Sequence, residues 1–421
     1  MRFPILFLCL LTAYLAPAQN EEHANYDTVY VDYINSTKFH IEGLFNTVPL
    51  INLNSGGRLE LTFDDLDTET RNYVYRIVHC DRDWNESSLA MNEYLDGFIY
   101  GQIETFALSF NTKTSYVNYQ LFLPNREVQF TKSGNYLLHV YEGSTEELPV
   151  LTRRFMVVEP LMTVEARLVG AANVSKFDTH QEIDFRVNHP NVDIRSPRTE
   201  VTATVLQNGR WDNALRNLQP FLIKPEQLVF DYQDKVVFPA GREYRFADIR
   251  SLRTYSGNVV DIRNNKDNWD VTLRKDNKRN NSSGLTQNDL NGGFIIESLD
   301  NNRDMVESDY ADVLFVFDTQ REFWDQEVYL FGGFTDWQIQ PWHRMVWNER
   351  INAYVGRSFL KQGFYNYSYV TVDQESREIS TEMTEGDWYE TENLYTILVY
   401  WRPFGARYDQ LVGAQALEAN R

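Results

Sequence analysis

The sequence predicts an all-β protein made of several consecutive β-sandwich domains. Apolar and polar residues alternate with a period of two in many short segments, and turn residues separate these segments at regular spacing. Aromatic residues reach 14% of the 421 residues, which suits half-buried pleated surfaces. Strands at such spacing with few helical stretches favour sandwiches over one long barrel meander. The hydrophobic fraction of 43% excludes a disordered chain.

The first predicted domain covers residues 22–158. Period-two strands are predicted over residues 73–80, 117–123, 135–141 and 151–158, and the Glu159-Pro160 pair ends the last of them. A short helix over residues 89–95 is predicted to interrupt the strands. Together these segments predict antiparallel sheets joined by turns.

The second predicted domain covers residues 160–305. Its strands include 183–187 and 201–205, and Asn208-Gly209 predicts a hairpin turn because both residues tolerate positive φ. Residues 275–293 are dense in Asn, Ser and Gly and predict a long loop. A third sandwich is predicted over 306–405, followed by a C-terminal tail, 406–421, in which residues 409–419 predict a short amphipathic helix.

The N-terminal 18 residues have the pattern of a signal peptide. Met1-Arg2 is positive, residues 3–15 are almost wholly apolar, and Ala16-Pro17-Ala18 fits a small-x-small cleavage site. The apolar run is shorter than the roughly 20 residues that span a bilayer. A lipoprotein signal at Cys9 is the alternative, but Leu8 is bulky and Cys9 lies inside the apolar run. We therefore expect an exported protein without direct membrane insertion.

The net negative charge of the chain limits the kinds of molecule that it can bind. The chain carries 40 Lys+Arg against 60 Asp+Glu, a formal net charge of −20, and cleavage that removes Arg2 gives 39 − 60 = −21. Such a charge excludes a nucleic-acid binder that neutralises phosphates, makes binding to anionic lipid unfavourable, and disfavours self-association. We expect a monomer when the protein is unbound.

The sequence shows no motif that predicts catalysis, a cofactor or a metal. Nucleophile-elbow, zinc-protease, phosphate-loop and dinucleotide motifs are all missing. His180 and His189 flank one strand without cysteine at ligand spacing, and the acidic run 64–67 lacks the alternation of a calcium loop. Cys80 is the single cysteine after cleavage and is predicted to be a buried hydrophobe. No enzyme activity and no cofactor are therefore predicted.

The third domain contains a pattern typical of one sandwich family. The run 328–337, Val-Tyr-Leu-Phe-Gly-Gly-Phe-Thr-Asp-Trp, is followed by Gly-Phe-Tyr-Asn-Tyr-Ser-Tyr at 363–369. This resembles the immunoglobulin-like, early-set sandwich of glycogen-binding modules over about 70 residues. The resemblance implies the fold more strongly than sugar binding, which would need exposed, coplanar aromatic rings around Trp337 or Trp342.

Three separated motifs resemble a second family across nearly the whole chain. They are His-Cys-Asp-Arg-Asp-Trp at 79–84, Glu-Tyr-Leu-Asp-Gly-Phe at 93–98, and the run 402–413 that begins Arg-Pro-Phe-Gly-Ala-Arg. With the signal peptide, they resemble the plug proteins of the type IX secretion system of Bacteroidetes. The resemblance implies a non-enzymatic periplasmic protein that binds the inner end of the outer-membrane translocon barrel and plugs its pore.

The family-motif or interface candidates all lie in these three motifs, and each has a structural alternative. Trp84 would pack at a core corner above turns made by Asp81 and Asp83, Tyr94 and Phe98 would dock the helix, and Arg402 and Arg407 would pair with carboxylates. Two other functions stay open, a carbohydrate-binding module and an enzyme with an unseen polar pocket. The candidate residues are His79, Asp81, Asp83, Trp84, Tyr94, Gly97, Arg402, Pro403, Phe404, Arg407, Tyr408 and Asp409.

Overall fold

The computed structural model describes residues 24–67, 69–143, 148–279, 289–301 and 304–420. The predicted signal peptide, residues 1–18, lies outside these residues, and so do residues 280–288 of the predicted loop 275–293. Strands form 49% of the structure and helices 5%, in several separate sheets, which confirms an all-β fold of several β-sandwich domains. Among the described residues, no helix is long and apolar enough to cross a membrane.

The first unit is a sandwich of two sheets. Its strand orders are β1-β12-β11-β5-β7, with β3 beside β12, and β2-β4-β9-β8, while β6 and β10 form a separate ribbon. Its elements are β1 (Thr28–Val29), β2 (Ile34–Ile41), β3 (Leu50–Asn52), β4 (Leu59–Asp65), β5 (Tyr73–Cys80), α1 (Met91–Tyr94), β6 (Leu95–Gly97), β7 (Tyr100–Gln102), β8 (Thr105–Leu108), β9 (Val117–Leu123), β10 (Val128–Phe130), β11 (Gly134–Glu142) and β12 (Leu151–Val158).

Residues 163–239 form one sheet of the second unit and two of the four strands of its other sheet. Its sheet order is β13-β14-β18-β17, with β19 beside β14, while β15 and β16 pair with each other. The elements are β13 (Thr163–Gly170), a 3₁₀ turn (Val174–Lys176), β14 (His180–Asn188), α2 (Pro197–Glu200), β15 (Val201–Gln207), β16 (Leu215–Leu218), β17 (Leu222–Lys224), β18 (Gln227–Phe230) and β19 (Val237–Pro239).

The third unit is built on an eleven-stranded sheet with the path β20-β29-β26-β27-β28-β25-β22-β21. Its elements are β20 (Arg245–Asp248), β21 (Val259–Asn264), β22 (Trp269–Leu273), β23 (Asp276–Asn277), β24 (Phe294–Ile296), α3 (Asp304–Glu307), β25 (Tyr310–Asp318), β26 (Gln326–Phe331), 3₁₀ turns (Gly333–Thr335 and Pro341–His343), β27 (Arg344–Asn348), β28 (Ala353–Lys361), β29 (Gly363–Asp373) and β30 (Ile379–Ser380).

The last two strands return to the second unit. They are β31 (Asn393–Trp401) and β32 (Gln410–Ala419), and the sheet order there is β16-β15-β31-β32. The predicted helix at residues 409–419 is therefore wrong: this segment pairs with β31 along nearly its whole length, and Leu411 and Val412 are fully buried. Sheet pairing overrides the weak helical pattern because it satisfies the backbone groups of both strands.

The sheets connect residues across the boundary predicted near 305. Strands β20–β24 join the sheet of the third unit, and β31–β32 join that of the second. Among the described residues, three strand pairs are parallel rather than antiparallel, namely β3 with β12, and β22 and β23 with β25. Alternation identifies a strand and its apolar face, but it carries no information about the partner strand.

Aromatic side chains fill the three main cores. In the first unit, Phe63, Tyr73 and Tyr119 are fully buried with ring centroids 4.7–5.3 Å apart. In the third unit, Tyr365, Tyr367 and Tyr369 are buried on β29. These tyrosines therefore pack the core and form no exposed platform.

Candidate functional site

The structure brings the three sequence motifs together where the first unit meets the end of the chain. We call His79, Arg82, Tyr94, Tyr408 and Asp409 the junction cluster. His79 is at the end of β5, Tyr94 ends α1, and Asp409 directly precedes β32. Residues more than 300 positions apart in sequence are thus neighbours in the fold.

An aromatic contact forms the centre of the junction cluster. The His79 ring lies 5.5 Å from the ring centroids of Tyr94 and Tyr408 and 4.9 Å from that of Tyr136. Its Nδ1 is 2.9 Å from Ser87 Oγ. Burial lowers the pKa of His79 to about 4, so the imidazole is neutral at pH 7. A neutral ring packed on three tyrosines is a structural element rather than a proton shuttle.

Ion pairs also join the sequence motifs in the junction cluster and beside it. The Arg82 guanidinium donates to Asp409 Oδ1 at 3.1 Å, and the Arg82 backbone N–H donates to Asp409 Oδ2 at 3.1 Å. Asp409 is only 2% exposed, and Arg402 lies 3.9 Å from it. Arg407 pairs with Glu93 on α1. The predicted pairing of Arg402 and Arg407 with carboxylates is therefore confirmed.

The 81–85 turn positions Trp84. Asp81 Oδ1 accepts hydrogen bonds from the backbone N–H groups of Asp83 and Asn85, both at 2.9 Å. Asp83 instead accepts from the Asn217 side chain at 2.9 Å, outside its own turn. Trp84 has φ of 70°, in the left-handed region that a bulky residue rarely adopts.

Trp84 is held by contacts with two other segments. It is fully buried, edge-on to Trp211 at 4.9 Å, and the Arg154 guanidinium lies 4.7 Å above its ring. The expected core-corner packing of Trp84 is confirmed. Trp211 and Arg154 gave no signal in the sequence because neither belongs to a motif.

Two glycines in this region are required by close approaches. Gly97, with φ of 129°, would place a Cβ 1.8 Å from the Glu127 carbonyl oxygen, and Gly134 would place one 2.5 Å from His79 Nε2. The candidate Gly97 is thus explained by the tight pairing of β6 with β10. Gly134 belongs to no sequence motif and was missed.

Of the two remaining candidates, Phe404 is exposed and Pro403 is half-buried. Phe404 is 89% exposed, and Pro403 and Gly405 lie beside it in the same loop. Tyr94 is buried as expected, but Phe98 is 68% exposed, so the prediction that Phe98 docks the helix is wrong. The chain leaves α1 through β6 and turns at Gly97, which carries Phe98 outward.

A crevice with a volume of about 230 Å³ lies where the three units meet. Lys38 Nζ donates to the Phe294 carbonyl at 2.7 Å, and burial lowers the pKa of Lys38 to about 8. Arg153 pairs with Asp336 at 3.1 Å. The cations here already have protein partners, so the crevice acts as a contact between units.

Metal binding and sugar stacking around Trp337 and Trp342 can both be assessed among the described residues. No group of three or more His, Cys, Asp or Glu among them could hold a metal ion. Burial raises the pKa of the Cys80 thiol, which disfavours the reactive thiolate. Trp342 is exposed, but the neighbouring His343 ring is tilted by 61°, and Trp337 packs against Phe331. Within the described part of the chain, the rings around Trp337 and Trp342 are not coplanar.

The first unit matches a known family model, "Type 9 secretion system plug protein 1st domain", over residues 34–159. This range contains the 79–84 and 93–98 motifs. The chain belongs to the type 9 secretion system plug protein family. Membership in the plug family supports a role in type IX secretion, association with the secretion machinery, a periplasmic or envelope location, and a non-enzymatic structural role.

A solved structure is similar to this plug-family chain over almost its whole length. The crystal structure of a hypothetical protein from Parabacteroides merdae ATCC 43184 is 34% identical, with a TM-score of 0.89. The match covers 93% of this chain and 99% of that one. No curated protein matches the chain.

Proposed function

We propose that this exported protein binds the periplasmic end of the outer-membrane translocon barrel of the type IX secretion system. There it closes the pore when no cargo is engaged. The single observation that carries the proposal is the match of the first sandwich to the plug domain. The signal-peptide pattern at residues 1–18 supports delivery to the periplasm.

The contacts between the units support a rigid closing body. Lys361 on β28 pairs with Asp64 on β4 at 2.6 Å, with both side chains 1% exposed. Tyr400 on β31 donates to Asn135 on β11 at 2.9 Å. These buried contacts tie the first unit to each of the other two. A pore seal needs such stiffness because a body that bends at its linkers would leak.

The charge of the chain and its exposed aromatic side chains are consistent with a seal that can form and be displaced. After removal of the predicted signal peptide the net charge is 39 − 60 = −21, which keeps the unbound protein soluble. Interfaces of about 1,600 Å² range from micromolar to picomolar affinity, so a seal that cargo can displace is physically accessible. Exposed aromatic side chains such as Phe98 and Phe404 provide anchors of the kind that dominate interfaces.

The test is the conductance of the purified translocon in a planar bilayer. Translocon from cells lacking this protein should be assembled but conduct ions, and adding the purified protein to the periplasmic side should lower the conductance. An unrelated acidic protein of similar mass is the control. Equal conductance with and without this protein would overturn the proposed function and favour a role in assembly or glycan binding.

A further inference from the structure

One strand of the first unit lies at an open edge of the sandwich. All four residues of β8 are exposed, and among the described residues β8 pairs only with β9. Its other edge therefore presents backbone N–H and C=O groups without a strand partner. An edge of this kind is a template for the addition of another strand.

The two large apolar side chains of β8, Phe106 and Leu108, lie on the core side of its sheet. Phe106 is opposite Tyr119 and Leu108 is opposite Val117, and residues directly opposite in an antiparallel pair point to the same face. Tyr119 and Val117 are at most 1% exposed, whereas Phe106 and Leu108 are 50% and 59% exposed. The apolar face of this sheet therefore extends from buried β9 onto β8, where Phe106 and Leu108 are left uncovered.

Both ends of the strand are fixed. Ile103, just before β8, is 3% exposed and its N–H donates to the Tyr73 carbonyl at 2.9 Å. After β8, the Phe110 N–H donates to the Val306 carbonyl at 2.8 Å. The uncovered strand is consequently held in a defined position, and an incoming segment would not have to order it.

The composition around β8 indicates the chemistry of the occupant. Glu104 is the only charged residue from Phe98 to Phe110, in a chain that is 24% charged. By contrast the exposed edge strand β17 carries Lys224 and is followed by Glu226, the kind of charges that protect natural edges. The edge at β8 lacks this protection and fits an uncharged, apolar, extended segment.

The chain itself has little with which to cover the edge. After the predicted signal peptide, the residues outside the described ranges contain one large apolar side chain, Leu285. A second copy is disfavoured because each copy without the predicted signal peptide carries a net charge of 39 − 60 = −21. The remaining occupant is a segment of another protein.

We infer that β8 is the docking edge for the translocon, an assignment that rests on the proposed function. An uncharged, apolar, extended segment at the periplasmic end of the barrel adds as a strand beside β8. Its side chains cover Phe106 and Leu108 and complete the core face of the sheet. Backbone hydrogen bonds hold the segment, and the two uncovered apolar positions select its side chains.

Crosslinking tests the assignment in the assembled translocon. A photo-reactive benzoylphenylalanine in place of Leu108 should crosslink to the barrel protein, whereas the same group in place of Leu222 on β17 should not. The matched charge variants are F106D/L108D and L222D. The first should reduce retention on the tagged barrel by about tenfold or more, and the second should leave it unchanged. Equal melting temperatures of the two variants establish that both are folded.

Each other outcome overturns the assignment. A crosslinked dimer through position 108 would mean that a second copy covers the edge, and crosslinking to lipid would mean a membrane contact. If the barrel retains the protein but position 108 does not crosslink to it, this inference is overturned while the proposed function stands. The same holds if the folded F106D/L108D variant is retained as fully as the unmodified protein. Failure of the unmodified protein to associate with the barrel would overturn both.

Discussion

Asp64 accepts three hydrogen bonds inside the contact between the first and third units. They come from Lys361 Nζ at 2.6 Å, Tyr310 Oη at 2.7 Å and Asn118 Nδ2 at 2.7 Å. A carboxylate that is 1% exposed depends on such partners because it has lost its hydration. The stability of the molecule is therefore sensitive to a change of any one donor.

Lys361→Met should lower the free energy of unfolding by about 3–5 kcal/mol, because it leaves the buried Asp64 carboxylate without its counter-ion. Urea denaturation measures the change. Arg58→Met, which breaks the exposed pair with Glu42, is the matched control and should cost at most about 1 kcal/mol. Adding Asp64→Asn to Lys361→Met should recover part of the loss. Equal losses of stability in Lys361→Met and Arg58→Met would contradict this account.

The burial of His79 predicts the sign of its contribution to the pH dependence of stability. Its pKa is lowered to about 4 in the folded protein, against about 6.5 when exposed, so the unfolded chain binds more protons between these values. Its stabilising contribution is complete above pH 6.5 and is lost as pH falls toward 4.

His79→Gln should reduce the steepness of this loss by at most about 1.4 kcal/mol per pH unit, the value for one proton. Urea denaturation of both proteins between pH 7 and pH 4.5 gives the comparison. Parallel stability curves for the two proteins would show that His79 is not the titrating group.

At the scale of elements, the C-terminal strand is an integral part of the second unit. Ending the chain after Asp409 should lower the free energy of unfolding by at least about 3 kcal/mol, since β32 buries Leu411 and Val412 and each contributes about 1.5–3 kcal/mol. Chemical denaturation of the shortened chain measures this. Phe404→Ser, at an 89% exposed position in the neighbouring loop, should change stability by no more than about 0.5 kcal/mol. A shortened chain as stable as the whole one would contradict the pairing of β32 with β31.

Strands could be predicted from the sequence more readily than their partners. Alternation gave the bounds of β5, β9 and β12 as the structure has them, because these strands present a clear apolar face. The pairing of β15 with β31 joins Val201 to Trp401, and nothing local in either segment specifies it. In the tail, adjacent Leu411 and Val412 are compatible with either a helix or a strand, and only the neighbouring β31 decides between them.

In the candidate site, too, the local motifs could be predicted from the sequence but the contacts between them could not. The motifs at 79–84 and 402–413 were identified from their residues, but their contact through Arg82 and Asp409 depends on the whole fold. Asp83 binding to Asn217, and Trp84 to Trp211, are equally non-local. Exposure was predictable only in part, since Phe98 is carried outward by the turn at Gly97.

At the scale of the whole molecule, the three units should unfold as one. The Asp64–Lys361 pair, the Asn135–Tyr400 hydrogen bond and the Arg82–Asp409 pair each cross between parts of the fold that are distant in sequence. Calorimetry should show a single transition with equal van't Hoff and calorimetric enthalpies. In Lys361→Met the transition should broaden or split, because the first and third units lose their buried link. Two separate transitions in the unmodified protein would mean that the units are energetically independent.

The return of β31 and β32 to the second unit sets an order of events during synthesis. A nascent chain emerges N-terminus first, so the strands of the first sandwich are all present after residue 158, whereas β15 must wait for residues 393–401. Until then the apolar edge of β15 is open to chaperones and proteases. Any prematurely terminated product retains that open edge, so proteases that act on exposed strand edges can recognise and remove it.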